Sequence, residues 1–76
     1  MAEPTILDAK GLRCPLPVLK ARKAMKDLPV GATLRVLATD PGAIKDFEAF
    51  CKTTGHQLLS ASQDGKVLTF DIQKGE

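Results

Sequence analysis

The amino-acid sequence predicts an α+β two-layer sandwich of order βαβαββ, with both helices on one face of a four-stranded mixed sheet. Three observations lead there. Two helical patterns each open on a proline, at Pro15 and at Pro41. Between them, Thr33 to Thr39 sets the apolar Leu34, Val36 and Ala38 at alternate positions, as a half-buried strand does. Near the end, Asp64-Gly65 separates two further strand-like runs, the composition of a tight hairpin.

Thr5 to Asp8 is a short β-branched and apolar run and forms the opening strand. Lys10-Gly11 then turns the chain. The first helix is predicted from Pro15 to about Asp27, with Val18, Ala21, Met25 and Leu28 on its apolar stripe. Leu19 and Ala24 widen that stripe, while Lys20, Arg22, Lys23 and Lys26 fill the opposite side. Pro29 and Gly31 end it. In the next strand Leu34, Val36 and Ala38 alternate with Arg35, Leu37 and Thr39. A strand, helix and strand of these lengths make a βαβ unit, so the first two strands are expected parallel with a right-handed crossover. Asp40-Pro41 repeats the helix-start pattern, aspartate as N-cap and proline as first helical residue. Ile44, Phe47, Phe50, Cys51 and Thr54 share one face of the second helix, which stops at Gly55. Gln57 to Gln63 and Lys66 to Gln73 are the hairpin strands, with Leu68, Phe70 and Ile72 toward the core.

The 76 residues suit one domain spanning positions 1–76. Such a chain buries about 60–65% of its unfolded surface, so the core is thin. Two cysteines and one histidine are too few for a structural zinc site, and no metal or organic cofactor is expected. Gly31 and Gly42 are isolated, so there is no phosphate-cradling loop. No apolar run approaches the ~18 residues that span a bilayer, and no signal-peptide pattern precedes the first strand. A cytoplasmic protein with free thiols and no membrane partner is expected. With no Trp or Tyr, and with Phe47, Phe50 and Phe70 assigned to the core, there is no aromatic platform for bases. Direct sequence-specific nucleic-acid binding is therefore not expected, although weak electrostatic contact with RNA stays open.

The net charge of +2 conceals an asymmetry. Residues 1–26 hold six basic and two acidic residues, a balance of +4, and residues 27–76 hold five basic and seven acidic, a balance of −2. Positive charge gathers on the first helix, where it suits an acidic partner or is simply a solvated face.

Gly11-Leu12-Arg13-Cys14-Pro15-Leu16-Pro17-Val18 carries the chemistry. If Pro15 is the first helical residue, Cys14 is the N-cap, and with Pro17 lacking an N–H, Leu16 N–H is the donor left for the sulfur. A thiolate there is stabilised by the helix terminus, and Arg13 adds a full charge beside it. Its pKa is expected to fall from about 8.5 to about 7.5 or lower, which makes Cys14 a nucleophile. The competing reading is a small apolar filler at a loop–helix junction. The carboxyl edge of an open α/β sheet is where ligands meet it, and Cys14 and Asp40 both stand at such strand-to-helix junctions. Asp40 reads first as a cap. Cys51, within the apolar stripe, reads as core filler with a raised pKa; a resolving partner for Cys14 would need Cα atoms within about 7 Å. His56 follows Gly55 with no partner at catalytic or metal spacing and reads as an exposed loop residue.

The run from Gly11 to Val18, followed by Ala21-Arg22-Lys23, resembles the signature of the TusA family of sulfur carriers, also called SirA-like. Asp40-Pro41, Phe50-Cys51 and Gly55-His56 are similar to the same family, and the likeness extends from about Thr5 to Lys74. The resemblance implies a small βαβαββ two-layer sandwich and a sulfurtransferase acting as a persulfide shuttle. Cys14 would accept sulfane sulfur from a cysteine desulfurase and relay it to an acceptor protein, in the best-known branch toward tRNA wobble-uridine thiolation. Arg13, Pro15, Leu16 and Pro17 would support the thiolate, and Lys20, Arg22 and Lys23 are candidates for partner docking. The tRNA-thiolation members resembled here have glutamate between the prolines where this chain has Leu16. Relatives also serve sulfur oxidation, molybdenum cofactor and selenium pathways, so the acceptor stays open, and a monomer is the expected state. Two other classes stand beside this reading: a non-catalytic regulatory or interaction domain in which Cys14 only caps a helix, and a dithiol redox protein forming a Cys14–Cys51 disulfide.

Overall fold

All six predicted elements form, in the predicted order, in a computed structural model that describes residues 3–75. They are β1 (Thr5–Asp8), α1 (Leu16–Lys26), β2 (Thr33–Ala38), α2 (Ala43–Thr54), β3 (Gln57–Asp64) and β4 (Val67–Gln73). The sheet order is β1-β2-β4-β3. β1 and β2 run parallel, with Leu7 opposite Val36, and β4 lies antiparallel to both β2 and β3. The sheet is mixed, and the two helices pack on one face of it and against each other.

Strict alternation builds the core. Leu34, Val36 and Ala38 of β2 and Leu68, Phe70 and Ile72 of β4 are buried beneath the helices. Pro17, Ala21 and Met25 of α1 and Ala43, Phe47, Phe50 and Cys51 of α2 close over them. Phe47 stacks on Phe70 with ring centroids 4.7 Å apart and meets Phe50 edge-on at 6.2 Å. Cys51 is a buried free thiol whose pKa is pushed up by burial, as an apolar filler should be. On the open face, Arg35 and Asp71 stand opposite each other in the β2–β4 register and pair through two hydrogen bonds of 2.8 and 3.2 Å. The guanidinium holds the Asp71 carboxyl below the usual carboxylate range.

Several boundaries and placements differ from the sequence expectation. α2 starts at Ala43 with Gly42 as its N-cap, because the Asp40 carboxylate is engaged elsewhere. One oxygen accepts from Gly42 N–H at 2.9 Å and the other from Cys14 N–H at 2.6 Å. Pro41 therefore sits in the turn and not in the helix. Ile44, expected in the core, is 38% exposed. The small and polar side chains Ala61 and Gln63 of β3 leave the space beside it unfilled, and Ile44 lines an open groove of about 670 Å³ with Leu68, Pro41 and Lys66. Leu19 is also exposed, and Pro17 takes the buried position at that end of α1. The hairpin loop is Gly65-Lys66, one residue later than expected, since Gly65 supplies the positive φ of 62° at its first position.

His56 is half-buried rather than exposed. Its ring lies 5.5 Å from that of Phe50, and Nδ1 accepts the Gly75 N–H at 2.9 Å. Burial, and then the nearby Lys74 charge, lower its pKa below 6.5. The folded state prefers the neutral ring, so its contribution is complete above pH 6.5 and is lost as pH falls through the folded pKa. The melting temperature of the wild-type protein should fall more between pH 7 and about 5 than that of His56→Asn, whose amide oxygen takes the same N–H. Equal slopes in a pH series of thermal melts would show that His56 titrates as it does in the unfolded chain.

Candidate functional site

The loop after β1 is tied to the end of β2 before it reaches the cysteine. Ala9 N–H donates to the Leu37 carbonyl at 2.8 Å, and Gly11 N–H donates to Thr39 Oγ1 at 2.9 Å. Gly11 has φ of 83°, a left-handed conformation suited to glycine, and it turns the chain toward α1. The Cys14 N–H then donates to Asp40, so one carboxylate fixes both strand-to-helix loops at the carboxyl edge of the parallel pair. Gly42 lies against the Cys14 side chain, and a Cβ there would meet Cys14 Cβ at 3.6 Å, an ordinary packing distance.

The thiol is exposed, but its electrostatics differ from the expectation. Cys14 is not the N-cap. Pro15 holds that position, the Cys14–Pro15 peptide is cis, and Leu16 N–H donates to the Arg13 carbonyl at 2.8 Å instead of to sulfur. Cys14 Sγ donates to Asp46 Oδ2, from the first turn of α2. That hydrogen bond, partial shielding from water and the charges of Asp46 and Asp40 push the thiol pKa up to about 11. The expected depression is thus reversed, because the proton is needed for the bond and two carboxylates face the sulfur. Asp40 itself is held below the usual carboxylate range, first by the Cys14 and Gly42 N–H groups and also by Arg13.

The other sequence candidates surround this point. Arg13, Pro15 and Leu16 are exposed beside the sulfur-bearing residue, while Pro17 is buried beneath the start of α1. Lys20, Arg22 and Lys23 are exposed on α1. Arg22 lines two clefts between the helices. One, of about 230 Å³, is shared with Pro15, Val18, Asp46 and Phe50. The other, of about 380 Å³, is shared with Lys26, His56 and Lys74. Sequence reasoning missed Asp46. Its only sequence signal is its place in the first turn of the helix that follows Asp40-Pro41. Cys51 is buried and free, so the structure offers no Cys14–Cys51 disulfide. Among the described residues no helix is long and apolar enough to cross a membrane.

The site therefore presents one accessible thiol on a backbone fixed from two sides. Residues 5–74 match the family described as Sulfurtransferase TusA. This chain belongs to the TusA family. The sulfur carrier protein TusA of Allochromatium vinosum is 48% identical over 68 residues, covering 90% of each chain. The sulfur carrier protein TusA of Pseudomonas putida is 41% identical over 69 residues, 91% of this chain and 86% of that one. The crystal structure of the SirA-like protein from Desulfitobacterium hafniense superposes with a TM-score of 0.82 at 28% identity, over 95% of this chain and 99% of that one. The TusA family resemblance drawn from the Cys14 motif and the two-layer fold are both shown by these comparisons.

Proposed function

We propose that this TusA-family carrier holds sulfane sulfur as a persulfide on Cys14, receives it from a cysteine desulfurase, and passes it to the thiol of an acceptor protein. The observation that carries the reading is the exposed Cys14 thiol, pinned through its own N–H at the carboxyl edge of the sheet, while Cys51 is buried. In loading, the thiol proton leaves to solvent or to a base on the donor. The Cys14 thiolate attacks the outer sulfur of the donor persulfide, and the donor cysteine departs as thiolate with the electrons of the broken S–S bond. Discharge repeats the step with the acceptor thiolate attacking, and Cys14 leaves and recovers a proton. No net oxidation occurs, and free thiols in a reducing cytoplasm suit the cycle.

Arg22 is the strongest docking candidate on α1, because it lines the cleft that also holds Pro15 and Asp46. Exposed Leu16 and Leu19 add apolar surface beside it. Arg22→Glu should slow loading about tenfold at low salt, and the deficit should shrink as salt rises. An unchanged loading rate at low salt would remove this docking role. The route onward, to wobble-uridine thiolation or to another branch, depends on the acceptor thiol.

The protonated thiol favours one second reading, a non-catalytic interaction domain. The two separate on one experiment. After incubation with an active desulfurase and cysteine, the carrier reading predicts an intact mass greater by one sulfur atom and restored by reductant. A mass that never changes supports the interaction domain.

A further inference from the structure

We propose that Asp46 is a load-sensitive positioning residue: it docks the empty Cys14 thiol against α2 and turns the loaded persulfide away, so that sulfur is released onward more readily than it is kept. The inference rests on the carrier reading above for its second half, while its first half concerns the thiol alone.

The geometry is a latch with one moving part. The Cys14 backbone is fixed by Asp40, and Asp40 is fixed by Gly42 N–H, so the loop cannot follow a moving side chain. What remains free is rotation of the Cys14 side chain. In the empty protein its single S–H proton is donated to Asp46 Oδ2. Asp46 is half-buried in the α1–α2 cleft, which gives the bond partial shelter from water. The charged groups around the sulfur are Arg13 on its own loop, Asp40 from the β2–α2 loop, Asp46 from α2, and Arg22 of α1 sharing the cleft with Asp46.

Loading removes what the latch needs. The inner sulfur of a persulfide has two covalent partners and no proton, so the bond to Asp46 cannot re-form. A hydropersulfide is more acidic than a thiol, so the outer sulfur carries negative charge at neutral pH and is repelled by Asp46 and Asp40. The loaded side chain therefore rotates out to solvent, where a second thiolate can reach the outer sulfur. When that thiolate attacks the outer sulfur, a new S–S bond forms to the acceptor and the bond to Cys14 Sγ breaks; Cys14 takes the bonding electrons and then a proton, and the hydrogen bond to Asp46 returns. Asp46 thus stabilises the discharged state and destabilises the charged one. The same bond protects the idle carrier from alkylating and oxidising agents, because thiolate is the reactive form.

The test reads Cys14 alkylation by iodoacetamide across pH, quantified on the Cys14 peptide, for wild type, Asp46→Asn, Asp46→Ala and Glu48→Gln. In the wild type the rate should climb through pH 10 without levelling, in keeping with a thiol pushed up to about 11. Levelling near pH 9 would overturn the proposal without any variant. Replacing Asp46 should increase the thiolate about a hundredfold at pH 7, offset about tenfold by lower intrinsic nucleophilicity, for a net gain of about tenfold. Glu48→Gln removes the same charge from an exposed position on α2 and should change nothing. Equal rates in all four proteins, or an equal gain in Glu48→Gln, would overturn the assignment. With loaded protein and glutathione as the acceptor probe, Asp46→Asn should retain about tenfold or more sulfur at equilibrium than wild type, and equal retention would overturn the release half. If neither protein loads, the carrier reading fails while the alkylation result still decides the role of Asp46 on the thiol.

Discussion

Cys14→Ala yields a folded protein that accepts no sulfur from a desulfurase. The loss should be complete and not partial, because the other thiol, Cys51, lies in the core against Phe47 and Phe50 of its own helix and cannot reach a donor persulfide. Fold and function separate here because the Cys14 side chain is exposed and the loop is held by its backbone N–H, which alanine retains. Cys14→Ser sharpens the test: its hydroxyl can still donate to Asp46, yet it forms no persulfide. Both variants should melt close to the wild-type temperature and show no added sulfur by intact mass. Residual loading in Cys14→Ala would move the carrier role to another atom.

Phe47→Ala should remove most of the stability of the protein. Phe47 is fully buried, stacks on Phe70 and meets Phe50, and so ties α2 to the centre of the sheet. Deleting such a ring costs about 3–5 kcal/mol once the cavity is included. A chain of this size has about 4–11 kcal/mol in total. The variant should therefore unfold near or little above physiological temperature, with a urea midpoint far below that of the wild type. Loading should fail with it, because the Asp40–Gly42 junction that leads into α2 organises the Cys14 loop. Phe47→Leu, which keeps most of the volume, should lose much less. A Phe47→Ala midpoint within about 1 kcal/mol of wild type would mean that the sheet and α1 alone hold the fold.

Much of this was legible in the sequence because it is local. Proline at a helix start, alternation in β2 and β4, and glycine in the hairpin each act within a few residues, and each placed its element correctly to within one or two positions. Cys14 stood out for the same reason, placed between Arg13 and two prolines, and its thiol is exposed. What could not be read there is long-range. Asp40 reaches across 26 positions to the Cys14 N–H, and Asp46 reaches across 32 to the sulfur. Capping rules assign Asp40 to its own helix, and nothing in residue spacing reveals that a second loop would compete for it. The sign of the thiol shift was misjudged on the same account. The local reading rested on a helix terminus and Arg13, whereas the thiol is raised by its hydrogen bond to Asp46, by partial shielding from water and by the charges of Asp46 and Asp40. Ile44 and His56 were misplaced for a related reason: Ile44 faces an open groove lined by Ala61 and Gln63 of a distant strand, and His56 is hydrogen-bonded by Gly75 from the far end of the chain.

The central claim is that sulfur rides on one atom, Cys14 Sγ. It is tested most directly by loading the wild-type protein with desulfurase and cysteine, alkylating without reductant, and mapping the added sulfur by peptide mass spectrometry. The account predicts a single additional sulfur on the peptide containing Cys14 and none on the peptide containing Cys51. Added sulfur on Cys51, or none on either peptide from a desulfurase shown to be active, would contradict it.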